Sequence, residues 1–344
     1  MNPTVSVIIP TYNRRQMVLE AVKSVLAQSG TSFELIVVDD GSTDGTYETL
    51  REFLDCCGLL SVKDGRRHVS AWLTEVRLER ITHQGVAAAR NHGAAIAKGT
   101  YLAFLDSDDL WLPSKLKLHT DFMDSQPDLC IAQTEEIWLR NGRRMNPGRR
   151  HQKRSGDIFA DSLRTCLISP SAVAIKASVF WQVGGFDVRM KACEDYDLWL
   201  RLVARNRVGL LETPLVVRRA GHPDQLSAIT PALDRFRVLS LLKLLSNDEL
   251  SPERRDMVLD VFVEKCTIIG NGLLKRGRLS QAAIYQKAAK LADTRWRQGD
   301  MLELTEYSEA LSACGLSETL FSPSPAPSAH PQANTLARSS SESI

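Results

Sequence analysis

The chain has 344 residues, of which 43% are hydrophobic and 24% charged, a composition that excludes global disorder and fits one large or two ordinary globular domains. Forty-three Lys and Arg nearly balance 41 Asp and Glu for a formal net charge of +2, which removes the whole-chain basis for a nucleic-acid partner. Seven cysteines, at positions 56, 57, 130, 166, 193, 266 and 314, form no C-x-x-C pair, so free thiols in a reducing compartment are expected rather than structural zinc.

The N-terminus runs through Pro3-Thr4 into a short apolar stretch without the basic flank of a secretory signal. No uncharged run approaches the ~18 residues that would span a bilayer. A cytoplasmic protein is therefore expected, with peripheral attachment to the cytoplasmic membrane face left open.

Val5 to Ile9 reads as a buried strand, followed by a helical pattern at 15 to 28, a strand from Glu34 to Val38 and a helix at 46 to 55. Residues 56 to 76 have weak periodicity and read as an irregular connection. A helix at 86 to 97 leads to a strand from Tyr101 to Leu105, with later strands at Ala172 to Lys176 and Val208 to Val217. This alternation predicts an α/β fold with parallel strands and crossover helices. From about 231 the pattern is wholly helical, with apolar spacing in Phe236 to Leu245, Met257 to Ile269 and Ala282 to Ala292. The Ser-, Pro- and Ala-rich residues 322 to 344 read as a disordered tail.

The first three strands each end in polar residues: Thr11-Tyr12-Asn13, then Asp39-Asp40-Gly41-Ser42, then Asp106-Ser107-Asp108-Asp109. Ligands of open parallel sheets bind beyond the carboxyl ends of the strands, so the three clusters are expected to share one crevice. Carboxylates at the end of a buried strand can hold a hard divalent cation shared with a phosphate. A bare D-x-D is more often an acidic helix-capping turn, but its place after a buried strand beside two other polar strand ends favours the cation. Asp40 can accept from a nucleobase or a ribose while Asp44 caps the following helix.

SVIIPTYNR (6 to 14), VVDDGSTDGT (37 to 46), GVAAARNHGAAIAKGTYLAFLDSDD (85 to 109) and GGFD with CEDYDLWLRL (184 to 202) closely resemble the motifs of family-2 glycosyltransferases. The resemblance covers about 220 residues in the family's order. It implies a GT-A fold: a Rossmann-like, mostly parallel sheet flanked by helices. It also implies a nucleoside-diphosphate-sugar donor, UDP by preference, a divalent cofactor (Mn²⁺ or Mg²⁺), and inversion at the anomeric carbon. The expected organisation is a catalytic domain at 1 to 227, with a donor half to about 110 and an acceptor half at 111 to 227. A helical region at 228 to 320 and the tail at 321 to 344 follow.

Carried over residue by residue, the resemblance assigns donor binding to Pro10, Thr11, Tyr12, Asn13, Arg14, Asp39, Asp40, Arg90, Asn91, Asp106 and Ser107. Metal ligation falls to Asp108 with Asp106, Asp109 and His222 as further candidates. Glu194-Asp195 opens a helix, where carboxylates are often mere dipole partners. It resembles the family's ED motif, which makes Asp195 the general base and Glu194 its neighbour in orienting or contacting the acceptor.

The acceptor is expected to be a carbohydrate or a lipid-linked species in cell-surface polysaccharide or glycolipid synthesis. The basic run from Arg140 to Arg154 offers an anionic acceptor or membrane contact, against the alternative of a solvated loop. Self-association through the C-terminal helices is also open. A nucleotide-sugar-binding module without catalysis is the competing reading, disfavoured because the acidic motifs are intact. No G-x-G-x-x-G or P-loop is present, nor a G-x-S-x-G nucleophile motif.

Overall fold

A computed structural model describes residues 2–60, 71–148, 151–221, 232–245 and 250–297. Its centre is a nine-stranded sheet. Strands β1 (Val5–Thr11), β2 (Phe33–Asp39), β3 (Leu73–Arg80) and β4 (Tyr101–Phe104) lie parallel in the order β3-β2-β1-β4. Helices α1 (Arg15–Leu26), α2 (Thr46–Cys56) and α3 (Val86–Ile96) make the crossovers. β1 and β2 are buried along their whole length, which is why they read as continuous apolar runs.

The second half of the sheet is mixed rather than mostly parallel. β8 (Val173–Lys176) runs antiparallel to both β4 and β6 (Ile131–Arg140), while β9 (Val208–Ala220) is parallel to β6. Two short strands complete it: β5 (Leu110–Trp111) on β9, and β7 (Arg143–Met145) on β6. β3 corrects the expectation of an irregular segment through residue 76. Its polar and apolar residues do not alternate and its burial is partial, so it carries no period-2 signal at the sheet edge.

Helix α3 lies close against the sheet because Gly93 has no side chain: a Cβ there would meet Ile8 Cγ2 at 2.6 Å. The remaining helices are α4 (Lys115–Asp124), α5 (Phe159–Arg164), α6 (Ala177–Gln182), α7 (Glu194–Val203), α8 (Asp234–Leu245), α9 (Pro252–Lys275) and α10 (Leu279–Arg297). The last three form the expected helical region, and their apolar faces join the hydrophobic cluster that contains Phe104, Phe186 and Trp199. No helix among the described residues is long and apolar enough to cross a membrane. The tail at 322 to 344 lies outside the described residues.

Lys115 is fully buried in α4, its Nζ 4.1 Å from the Trp111 ring centroid and 3.3 Å from His119 Nδ1. Burial, reinforced by the charge of Lys153, pushes the Lys115 ammonium down to about 7, and burial likewise lowers His119. A lysine depressed in the folded state is protonated more fully in the unfolded chain between about pH 7 and its ordinary value. Stability therefore rises with pH across that window, and the full cost is present below it. Lys115→Met should remove a cost on the order of 2–4 kcal/mol at pH 7. Its Tm should rise by several degrees at pH 7, with the gain shrinking toward pH 10. A lower Tm with an unchanged pH slope would contradict this account.

Candidate active site

The candidate crevice is where β1, β2 and β4 end side by side in the sheet. Behind it, Asp40 is 2% exposed and spends both carboxylate oxygens on the head of α3. The Gln84 amide donates to Oδ1 and the Gly85 amide to Oδ2, each at 2.8 Å. Gly85, the residue before α3, has φ +98, which a side chain would strain. Asp40 thus anchors the two residues before α3, and Asp44, one residue ahead of the Gly45 N-cap of α2, accepts from the Thr46 amide at 3.0 Å.

His83 completes this corner, and the sequence reading passed over it. Its Nδ1 lies 2.9 Å from Asp40 Oδ2, and its ring stacks on Tyr12 with centroids 4.0 Å apart. Both rings are about half exposed, in contrast to the buried carboxylate beneath them. Its signal, a histidine two residues before the glycine that opens α3, was present but weak. Asp39 is fully buried, accepts from the Ser42 amide at 3.2 Å and faces Arg80 Nε at 3.4 Å. Through Oδ2 it braces the β2–α2 turn.

Pro10 and Thr11 are also buried, with the Thr11 hydroxyl unpartnered, whereas Tyr12 and Asn13 are exposed. Asn13 takes a left-handed φ of 50 and its Oδ1 accepts from the Thr43 amide at 2.8 Å, so it ties the two loops together. Arg14 reaches Asp108, with Nη1 2.6 Å from Oδ2.

The DSDD cluster follows β4. One carboxylate oxygen from each of Asp106, Asp108 and Asp109 falls within 4.8 Å of the others, an all-oxygen set of the kind that hard divalent cations prefer. The three are not equivalent. Asp109 is buried, accepts from the Ser171 hydroxyl at 2.7 Å and from the Arg219 amide at 2.9 Å. Burial, then the charges of Asp108 and Asp106, push its carboxyl well above the usual range. Asp106 and Asp108 are partly exposed, while Ser107 is buried. His222 lies outside the described residues.

Arg90, 4% exposed in α3, joins the acidic cluster to the ED pair. Its Nη2 donates to Asp106 Oδ1 at 2.7 Å and its Nη1 to Glu194 Oε1 at 2.8 Å. These partners hold its guanidinium charged against the burial that opposes it. Arg90 thus bridges two carboxylates. Asn91 clamps the backbone of Phe186, donating to its carbonyl at 2.7 Å and accepting from its amide at 3.0 Å. Both ends of its side-chain amide hold the GGFD loop.

Cys193, at φ 58, precedes α7 and turns the chain so that Glu194 and Asp195 fall in the helix's first turn. Glu194 is buried, and burial followed by the charge of Asp195 raises its pKa against the pull of Arg90. Asp195 is partly exposed. Its Oδ1 accepts from the Tyr196 amide at 2.7 Å, and the Cys166 thiol approaches Oδ2 at 3.6 Å. The same burial, with Asp195 nearby, keeps Cys166 a neutral thiol, so it is a weak donor and not a competing nucleophile.

The helical region also serves this site. Lys243 of α8 pairs with Asp187 at 2.6 Å and with Asp197 at 2.7 Å, locking the GGFD loop to α7 behind Asp195. Nothing in the sequence pattern linked residue 243 to either aspartate. The basic run, in contrast, disperses. Lys153 is buried beside Glu136 and Arg154 pairs with Asp161 at 2.5 Å, while Arg140, Arg143 and Arg144 are exposed. Arg149 and Arg150 lie outside the described residues.

The family model described as "Glycosyl transferase family 2" matches residues 6–184, just over half of the chain. An uncharacterized glycosyltransferase of Rickettsia felis is 32% identical over 211 residues, covering 61% of this chain and 32% of that protein. The chain therefore matches about a third of the length of this relative. A putative teichuronic acid biosynthesis glycosyltransferase, TuaG of Bacillus subtilis, is 44% identical over 121 residues, which are 35% of this chain and 42% of that one. Among solved structures, S. aureus TarS 1-349 in complex with UDP-GlcNAc superposes with a TM-score of 0.63 at 19% identity, covering 92% of each chain. That likeness establishes a shared fold.

Proposed function

This chain belongs to glycosyltransferase family 2 and has its GT-A fold with a helical extension, and we propose that it transfers a sugar from a nucleoside diphosphate to an acceptor hydroxyl in a single inverting displacement. The observation that carries the reading is Arg90, which ties Asp106 of the acidic cluster to Glu194, the neighbour of Asp195, and so sets the two acidic motifs at one crevice.

The exposed Tyr12–His83 ring pair offers a platform for the nucleobase, with Asp40 fixing His83 and the α3 terminus beneath it. Asp106 and Asp108 would hold a divalent cation, Mn²⁺ or Mg²⁺, a reading supported by the closeness of the three carboxylates, with buried Asp109 shaping the loop. Such an ion, when bound, offsets the charge that grows on the departing diphosphate. Arg14 pairs with Asp108 in this conformation and would be released toward the same phosphates.

Asp195 accepts the proton of the acceptor hydroxyl at Oδ2, because Oδ1 is already occupied by the Tyr196 amide. The acceptor oxygen attacks the anomeric carbon as the bond to the diphosphate breaks, and no covalent sugar–enzyme intermediate forms. Glu194, held by Arg90, keeps the first turn of α7 in place. UDP is the preferred nucleotide, supported by the fold neighbour solved with UDP-GlcNAc. Cell-surface polysaccharide synthesis is supported by the TuaG likeness. The catalytically silent alternative gains nothing from the geometry, since the acidic pair and the cluster are both in place.

A panel of UDP, GDP and dTDP sugars, read by Mn²⁺-dependent thermal stabilisation and donor hydrolysis, tests the assignment. A UDP-sugar should raise Tm and turn over slowly only with metal. Indifference to every nucleotide sugar in the presence of Mn²⁺ would remove the reading.

A further inference from the structure

The first turn of α7 carries three carboxylates, and two of them are spent on cations. Glu194 and Asp197 stand three residues apart on one buried face of the helix, where Arg90 holds the first and Arg201 and Lys243 hold the second. Asp195 lies off that face and is partly exposed, bonded to the Tyr196 amide and the Cys166 thiol.

Neither Asp187 nor Asp197 depends on Lys243 for its counter-charge. Asp197 Oδ2 accepts from Arg201 Nε at 3.1 Å and Nη2 at 2.8 Å, and Arg189 donates to both oxygens of Asp187 at 2.8 Å. Arg201 Nη2 also donates to the Gly185 carbonyl at 2.8 Å, so α7 and the GGFD loop already form one unit. What the Lys243 ammonium adds is a link from α8, at 2.6 Å to Asp187 Oδ2 and 2.7 Å to Asp197 Oδ1. Burial opposes charge on Asp197, yet Arg201 and Lys243 hold its carboxyl below the usual range. Two weaker contacts run beside this link. Arg237 of α8 lies over the Tyr196 ring at 5.8 Å, and Cys193 Sγ is 3.8 Å from the Leu233 carbonyl just ahead of α8.

We propose that Lys243 is a positioning residue for Asp195: by fastening α7 and the GGFD loop to the helical region, it fixes where Asp195 Oδ2 stands relative to the acidic cluster. Arg90 secures the same turn from α3. A misplacement of about 1 Å at a reacting group can cost about 10²-fold in rate. The inference rests on the transferase reading above, which makes Asp195 the base.

The test compares Lys243→Met with Lys265→Met in the full chain. Lys265 is a buried cation of the same helical region, but its ion pair, to Asp234 Oδ1 at 3.0 Å, includes no residue of α7 or the GGFD loop. Hydrogen exchange of the backbone amides at 194–197 should quicken about tenfold in Lys243→Met and change less than about twofold in Lys265→Met. Mn²⁺-dependent hydrolysis of UDP-glucose, UDP-galactose and UDP-N-acetylglucosamine should lose about 10- to 100-fold in kcat in Lys243→Met alone, with the Kd for UDP held within about twofold. Melting curves establish that both variants fold, and Lys243→Gln, which keeps a donor without the charge, takes the place of a methionine variant that does not. Unchanged exchange in Lys243→Met, or an equal change in Lys265→Met, would overturn the link. Quickened exchange with an unchanged kcat would overturn its role toward Asp195. A native chain that hydrolyses none of the three donors would count against the transferase reading, and the exchange comparison would still decide the link.

Discussion

Asp195→Asn is expected to bind UDP-sugar as the native chain does while losing transfer by about 10²–10⁴-fold, the range for removal of a general base. The amide is isosteric, and its oxygen can still accept from the Tyr196 amide, as Oδ1 does at 2.7 Å. What it loses is the capacity to take a proton at the second position, which the Cys166 thiol approaches at 3.6 Å. Because Arg90 holds Glu194 and not Asp195, the bridge to Asp106 should survive the change. The split between an intact donor isotherm and a lost kcat distinguishes a base from a structural carboxylate. A variant that retained full transfer would remove Asp195 from the mechanism.

Asp108→Asn is expected to act on the other side of the reaction. Asp108 is one of the two partly exposed oxygen donors of the acidic cluster, and its loss leaves Asp106, already paired to Arg90, beside the buried Asp109. Titration calorimetry should show that Mn²⁺ no longer tightens UDP binding. Turnover should fall by at least about 10²-fold, corresponding to several kcal/mol of electrostatic stabilisation. Arg14 loses its ionic partner but stays on the same loop, so melting should change little. An unaltered metal effect on UDP binding would assign the ion elsewhere.

Much of this architecture was legible because it depends on local pattern. Buried parallel strands announce themselves as apolar runs, and the abrupt change to Asp39-Asp40 or to Asp106-Ser107-Asp108-Asp109 marks where such strands leave the sheet. The helical C-terminal region was likewise visible in its 3.6-residue spacing. β3 was not, because a partly exposed edge strand pairs through its backbone and its side chains carry no strong period.

The division of labour among the acidic residues was less legible still. Asp39, Asp40 and Asp109 resemble their neighbours in sequence, yet their burial and their backbone donors make them braces, while Asp106, Asp108 and Asp195 remain partly exposed. Each distinction depends on a partner distant in the chain: Gly85 for Asp40, Ser171 for Asp109, Glu194 for Arg90 and Lys243 for Asp197. A motif specifies which residues are present, but only the fold decides which of their lone pairs are already spent. The basic run makes the same point in reverse, since Lys153 turns inward to Glu136.

The configuration of the product reports most directly on a carboxylate placed to deprotonate the acceptor during one displacement. Proton NMR of the newly formed glycoside, recorded before mutarotation of any released sugar, should show an α-linked donor converted to a β-linked product. An α-linked product would mean retention, and with it the failure of Asp195 as the base of a direct transfer.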